Sequence, residues 1–207
     1  LNGGFVTNNI ANEGGGLWNG AGLMDVNGTT IGGNSALGPN TGGGGIFNLG
    51  GGTIDVDAST NITANIASGA TPGGRGGAIF NNTNGNLVLA SGLNINGNYA
   101  SRAGGGIEDT SGLTLSLNGI TLEGNSAGAD IGLGTMANPG NGGALHLSGS
   151  TSANISNSSI QNNLAAQEGG GLWNNTGIMT VETTTLTGNV ASGVLADDGG
   201  GALFNNG

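Results

Sequence analysis

The side chains of this chain that could do chemistry are few. Twelve acids stand against two arginines, Arg75 and Arg102, and one histidine, His146, with no lysine and no cysteine. Three kinds of chemistry would use such a set. A hard cation such as calcium takes roughly six to eight oxygen ligands. Asp25 with Asp55 and Asp57, and Glu168 with Asp197 and Asp198, are the groupings that could supply them. Glycoside hydrolysis needs two carboxylates facing each other across a sugar, and Asp25 and Asp55 stand at the same place in the related segments "LMDV" and "TIDV". Lyase chemistry on acidic sugars needs a cation and a base. Only Arg75, Arg102 and His146 are on hand for it, with the arginines in loops of variable length where solvation is expected.

A bland reading stands beside each of these. Acids on an outward face are commonly just solubilising, and the Gly-Gly-x-Gly-x-Asp pattern of calcium β-rolls is absent. His146 falls in a column of outward aromatic positions, where a surface residue is expected. The threonines are scattered and form no unbroken Thr-x-Thr column of the kind that could match an ice lattice. The expectation is therefore a non-catalytic chain with no required cofactor, calcium being the one candidate ion.

Glycine accounts for 49 of the 207 residues, charged residues for 7% and aromatics for 3%. Gly-rich sequence without a Gly-X-Y period is not collagen, and the steady recurrence of Ile, Leu, Val and Ala is not that of a disordered chain. A formal charge of −10 argues against nucleic acid or an anionic membrane as partner. No apolar run approaches the roughly 18 residues of a membrane-spanning helix. The absence of cysteine excludes disulfides and thiolate metal sites.

Internal repetition organises the chain. "EGGGLWN" occurs at Glu13 to Asn19 and again at Glu168 to Asn174. Relatives of it begin at Gly43, Gly76, Gly104, Gly142 and Gly200, with aliphatic anchors at Leu17, Ile46, Ile79, Ile107, Leu145, Leu172 and Leu203. A second pattern, aliphatic-x-x-Asn-x-Ala, occurs seven times and carries Asn9, Asn34, Asn65, Asn98, Asn125, Asn163 and Asn189. Between the two lies a short alternating segment ("LMDV", "TIDV", "NLVL", "LTLSL", "IMTV"), the mark of a strand with one buried face. Nearly all length variation sits after Asn-x-Ala, from two residues (Asn12, Glu13) to fourteen (Gly128 to Asn141).

A repeated unit of short strands, glycine corners and one elastic loop predicts an all-β, single-stranded parallel β-helix spanning residues 1–207 as one continuous solenoid. Six to seven coils of three short strands are expected, wound right-handed by the preference of parallel crossovers. In such a stack the asparagines of the second pattern form a ladder, and Trp18, Phe47, Phe80, Trp173 and Phe204 form an outward aromatic stripe. That stripe is the candidate contact surface for a glycan or a protein.

The stretch "LTGNVASGVLADDGGGALFNNG" resembles the paired x-x-Asn and Gly-Gly-Ala-aliphatic motifs of the chlamydial polymorphic outer-membrane proteins. It is equally similar to right-handed β-helix repeats of bacterial surface adhesins. The aromatic residue usual before x-x-Asn is here Ile, Leu or Val. The resemblance implies an exported, extracellular region at a bacterial surface, structural or adhesive. The chain starts in the third strand of one coil and stops just after the first strand of another, so a segment of a longer solenoid or a filament subunit that associates end to end is expected. The alternative is a carbohydrate-active or tailspike-like glycan-binding β-helix.

Overall fold

A computed structural model describes residues 1–69, 73–128 and 139–207. It is a parallel β-solenoid. Three seven-stranded parallel sheets run along the stack, and a fourth set of strands forms two three-stranded sheets. One coil shows the plan: a corner strand Leu17–Asn19, a middle strand Leu23–Val26, an approach strand Thr30–Gly32 and a turn strand Ser35–Ala36. The third strand expected from the sequence thus bends at its asparagine into two short pieces. No described residue is helical, so no helix is long and apolar enough to cross a membrane.

Equivalent positions pair in register from coil to coil. In the corner sheet Leu17 pairs with Ile46, Ile46 with Ile79, Ile79 with Ile107, Ile107 with Leu145, Leu145 with Leu172 and Leu172 with Leu203. Because side chains alternate along a strand, these anchors, apart from the exposed Leu203, stack inward with Ile31, Ile62, Ile95, Leu122 and Ile160 of the approach sheet to form one core. Burying each contributes about 1.5–3 kcal/mol. No coil could gain this alone, which is why the repeats stack.

The three glycine positions of each corner have three separate causes. The first (Gly14, Gly43, Gly76, Gly104, Gly142, Gly169, Gly200) has φ between 57° and 67°, where L residues are strained. The second leaves no room for a Cβ: at Gly105 it would fall onto the Ser126 backbone and the Gly143 carbonyl oxygen, and at Gly170 onto the Val190 backbone. The third lies beside the asparagine ladder and already admits Ala78, Ala144 and Ala202.

The expected ladder is complete. Asn9 Nδ2 donates to Asn34 Oδ1 at 2.9 Å, and the same bond repeats through Asn65, Asn98, Asn125, Asn163 and Asn189 at 2.9 to 3.1 Å. Each of these acceptor oxygens also takes the backbone N–H of the preceding asparagine. The second amide hydrogen goes to the carbonyl of the aliphatic anchor one coil back, as from Asn125 Nδ2 to Ile95 O at 3.0 Å. Buried amides are costly unless paired, and here donors and acceptors close on one another.

A second, shorter ladder runs through the corner: Asn19 to Asn48, Asn48 to Asn81, and Asn81 to Asp109 Oδ2 at 3.1 Å. It stops at Leu147, register partner of both Asp109 and Asn174. The substitutions account for each other: a side chain with no acceptor follows an aspartate that, ionised, has nothing to donate. The residue of the mismatch is Asn174 Oδ1, buried without a partner. Burial raises the Asp109 carboxyl above its ordinary range, against hydrogen bonds from Ser111 and Asn81.

Candidate functional site

The aromatic stripe of the corner sheet is assembled in register, Trp18 on Phe47, Phe47 on Phe80, His146 on Trp173 and Trp173 on Phe204. Ring centroids lie 6.4, 5.3, 4.1 and 6.4 Å apart, and the His146 and Trp173 rings are nearly parallel at 8°. It is not an open stripe. Trp18 is 48% exposed, but Phe47 and Phe80 are buried and Trp173 is only 8% exposed. The segments after Asn-x-Ala fold alongside, bridged in series from Gly42 to Arg75, Ala103 and Asn141. Arg75 lies over the Phe80 ring at 5.8 Å, and Trp173 Nε1 donates to Glu168 Oε2 at 2.8 Å. The elastic segments of the repeat are therefore also a cover.

Two expectations are corrected under this cover. His146, expected at the surface, is 6% exposed, and the neighbouring Glu108 is 1% exposed. His146 Nδ1 lies 2.8 Å from Glu108 Oε2, and Ser148 Oγ donates to Glu108 Oε1 at 2.8 Å. The arginines, expected to be solvated, are half-buried, and both interact electrostatically with Glu108. Every arginine and histidine of the chain thus gathers around one buried carboxylate. Burial alone would raise the Glu108 pKa. The charge and hydrogen bond of His146, the charge of Arg75 and the Ser148 hydroxyl outweigh burial and hold it below the ordinary 4.5. Burial together with Arg75 lowers the Arg102 pKa.

This arrangement is a charge-compensated buried acid and not an activated nucleophile. Ser148 Oγ donates to Glu108, and the His146 nitrogen 3.3 Å from it is the same Nδ1 that faces the carboxylate. A nucleophile is instead activated by a base that is oriented from its other side. Glu108 was missed because the pattern put it on an outward position, where acids are ordinarily solvated. Its alternation with Phe80 and His146 in a buried column was the available signal.

A pH-dependent outcome follows from Glu108. A folded pKa below the unfolded value means a stabilisation fully present above that unfolded value and lost as pH falls through the folded one. Glu108→Gln is therefore expected to lose about 1–3 kcal/mol near neutral pH, where Arg75 and Arg102 face a neutral amide and His146 and Ser148 lose their carboxylate partner. The difference from the parent chain should shrink in acid, where the parent's Glu108 is neutral too. Urea melts at a series of pH values read this directly, and a difference independent of pH contradicts the assignment.

The acids considered for calcium are placed as follows. Asp25 and Asp55 are register partners on an exposed face. Asp57 accepts from the Ser59 hydroxyl at 2.6 Å, the Gly28 amide at 3.0 Å and the Thr60 hydroxyl at 2.8 Å. Those bonds, Ser59 foremost, bring its pKa down to about 2. Glu168 Oε2 is taken up by Trp173 and by Asn141 Nδ2, the latter at 2.8 Å. Asp198 Oδ2 accepts from the Leu195 amide at 2.8 Å, and Asp197 is exposed. Among the described residues no three Asp, Glu or His side chains come together as a group that could hold a metal ion.

Compared with known proteins, the chain matches no family model, no curated protein and no solved structure.

Proposed function

We propose that this chain is a non-catalytic, structural stretch of β-solenoid belonging to an exported bacterial surface protein or filament. It serves as a rigid spacer that displays its faces to the outside of the cell. The asparagine ladder from Asn9 to Asn189 carries this reading. A sequence that repeats one buried amide through every coil invests in the stack itself. Acids and bases that could work on a substrate are meanwhile taken up by neighbouring side chains, as Glu108 is by His146 and Ser148 and Glu168 by Trp173 and Asn141. A strong negative charge with glycine turns and no thiols suits an exported segment that must stay soluble.

A carbohydrate-binding or carbohydrate-active role is the second reading. What favours it is the register pairing of Asp25 with Asp55, two carboxylates on one exposed face. The two readings part in a screen of the purified chain against acidic and neutral polysaccharides, following both retention and new reducing ends. The structural reading expects no new reducing ends, and retention without turnover would make the surface adhesive. Release of reducing ends, abolished in Asp55→Asn, would overturn it in favour of an enzyme.

A further inference from the structure

The fold brings the two arginines of the chain together and leaves most of their hydrogen-bonding capacity unused. Arg75 is the register partner of Ala103 on the next coil, and the Arg102 backbone N–H donates to Gly74 O at 3.0 Å. The two residues are therefore neighbours on adjacent coils, both in the cover of the corner sheet. From there Arg102 reaches back across the coil of Arg75, its Nη1 lying 3.5 Å from Asn40 Oδ1. Asn40 belongs to the coil on the far side of Arg75. The Arg75 guanidinium lies 5.8 Å from the centre of the Phe80 ring, and its charge is felt by Arg102.

A guanidinium presents a planar fork of N–H donors. Among the described residues neither arginine makes an ion pair with a carboxylate, the one ion pair being His146 with Glu108. Arg75 Nε is buried without a hydrogen bond, and the Arg102 contact with Asn40 is at the outer limit of bonding distance. Glu108 offsets part of the charge, but its oxygens are engaged elsewhere, Oε1 by the Ser148 hydroxyl and Oε2 by His146. Two arginines against one carboxylate leave one positive charge uncompensated before His146 is counted. Holding like charges half-buried costs free energy that an oxyanion shared by both would offset.

We propose that Arg75 and Arg102 form a binding site for an oxyanion, the carboxylate or sulfate group of an acidic ligand. The arginine fork suits such a group, offering two parallel N–H bonds to two oxygens. One monoanion balances the charge that Glu108 leaves over. The chain as a whole carries a formal charge of −10 and no lysine, so the site holds an anion against a field that elsewhere repels it. Phe80 is buried beneath Arg75, so recognition rests on the charged group and not on stacking. A free inorganic anion and an acidic sugar offer the same chemistry. The inference goes beyond the structural reading and does not depend on it, since a spacer that holds an oxyanion remains a spacer.

Calorimetric titration of the purified chain at constant ionic strength tests this, with sodium sulfate, an oligogalacturonate and a neutral galactose oligomer as probes. Saturable binding of sulfate or of the oligogalacturonate is expected, and none of the neutral oligomer. Sulfate alone makes a free inorganic anion the ligand, and binding of the oligogalacturonate as well extends it to acidic glycans. Arg102→Gln should weaken binding about tenfold to a hundredfold, the worth of one charged hydrogen bond. Glu108→Gln removes the competing carboxylate and should tighten binding. Circular dichroism confirms that each variant is folded. Sulfate stabilises proteins generally by exclusion, so in urea melts the quantity read is its effect on the parent beyond its effect on Arg102→Gln. A parent chain that binds neither anion saturably overturns the proposal. So does equal affinity in the parent and Arg102→Gln, equal binding of the neutral oligomer, or a folded Glu108→Gln variant that binds no more tightly than the parent.

Discussion

Asn125→Leu should come close to unfolding this protein, although it exchanges one buried side chain for another of similar size. Asn125 Oδ1 accepts the Asn98 backbone N–H and the Asn98 side-chain amide, each at 3.0 Å. Its own amide donates to Ile95 O at 3.0 Å and to Asn163 Oδ1 at 3.1 Å. Leucine takes these partners from the Asn98 backbone N–H and the Ile95 carbonyl, both buried, at about 1–3 kcal/mol each, while the Asn98 side-chain amide keeps Ile62 O and Asn96 O. Small to medium domains have only about 5–15 kcal/mol in total, so two such groups already take a large share. The gain from a more apolar side chain is at most about 3 kcal/mol and is diminished by misfit. Asn94, exposed on the neighbouring approach strand, is the control: Asn94→Ala should move the urea midpoint very little. Equal midpoints for the two variants would contradict the ladder's role.

The ladder was legible because a polar residue at a fixed place between aliphatic residues, seven times over, has few structural explanations. The aliphatic columns followed from the same register, since in a parallel stack a repeat in sequence becomes a line in space. Burial of the aromatic column was not legible. Alternation says that Phe47 and Phe80 point away from the core, and they do, but it does not say what lies over them. The cover is made by the described parts of the segments that follow Asn-x-Ala, around Gly42, Arg75, Ala103 and Asn141, whose lengths and compositions vary from coil to coil. For the same reason Glu108 and His146 read as surface groups. Pairing two outward residues on adjacent coils needs only the register, but their burial needs the loops. Most of the longest such segment, Gly128 to Asn141, lies outside the described residues, at 129–138.

The corner glycines give the sharpest separation between a residue that is needed and one that merely recurs. "Gly-Gly-Gly" reads as three equal residues, yet the structure ranks them. Gly105→Ala puts a methyl group onto the Ser126 backbone and the Gly143 carbonyl oxygen, and backbone, unlike a flexible side chain, cannot turn aside. Relief requires the corner sheet and the turn sheet to move apart, which opens the register of both neighbouring coils. A loss above about 3 kcal/mol is expected, at the severe end of overpacking. Gly106→Ala one residue later should cost far less. Its Cβ would meet the Ala144 carbonyl oxygen at 2.6 Å and Asn125 Cγ at 3.3 Å. That site is closely packed, but Ala78, Ala144 and Ala202 already occupy the equivalent position. Their coils take the methyl group with the same ladder behind it. The two substitutions are chemically identical and adjacent, so composition, helix or strand propensity and unfolded-chain entropy nearly cancel between them. What remains in the difference of their urea midpoints is the closeness of the two sheets at Gly105. If Gly106→Ala is as damaging as Gly105→Ala, the close approach of corner to turn strand is not what selects glycine at the second position, and the corner is held by its backbone dihedrals alone.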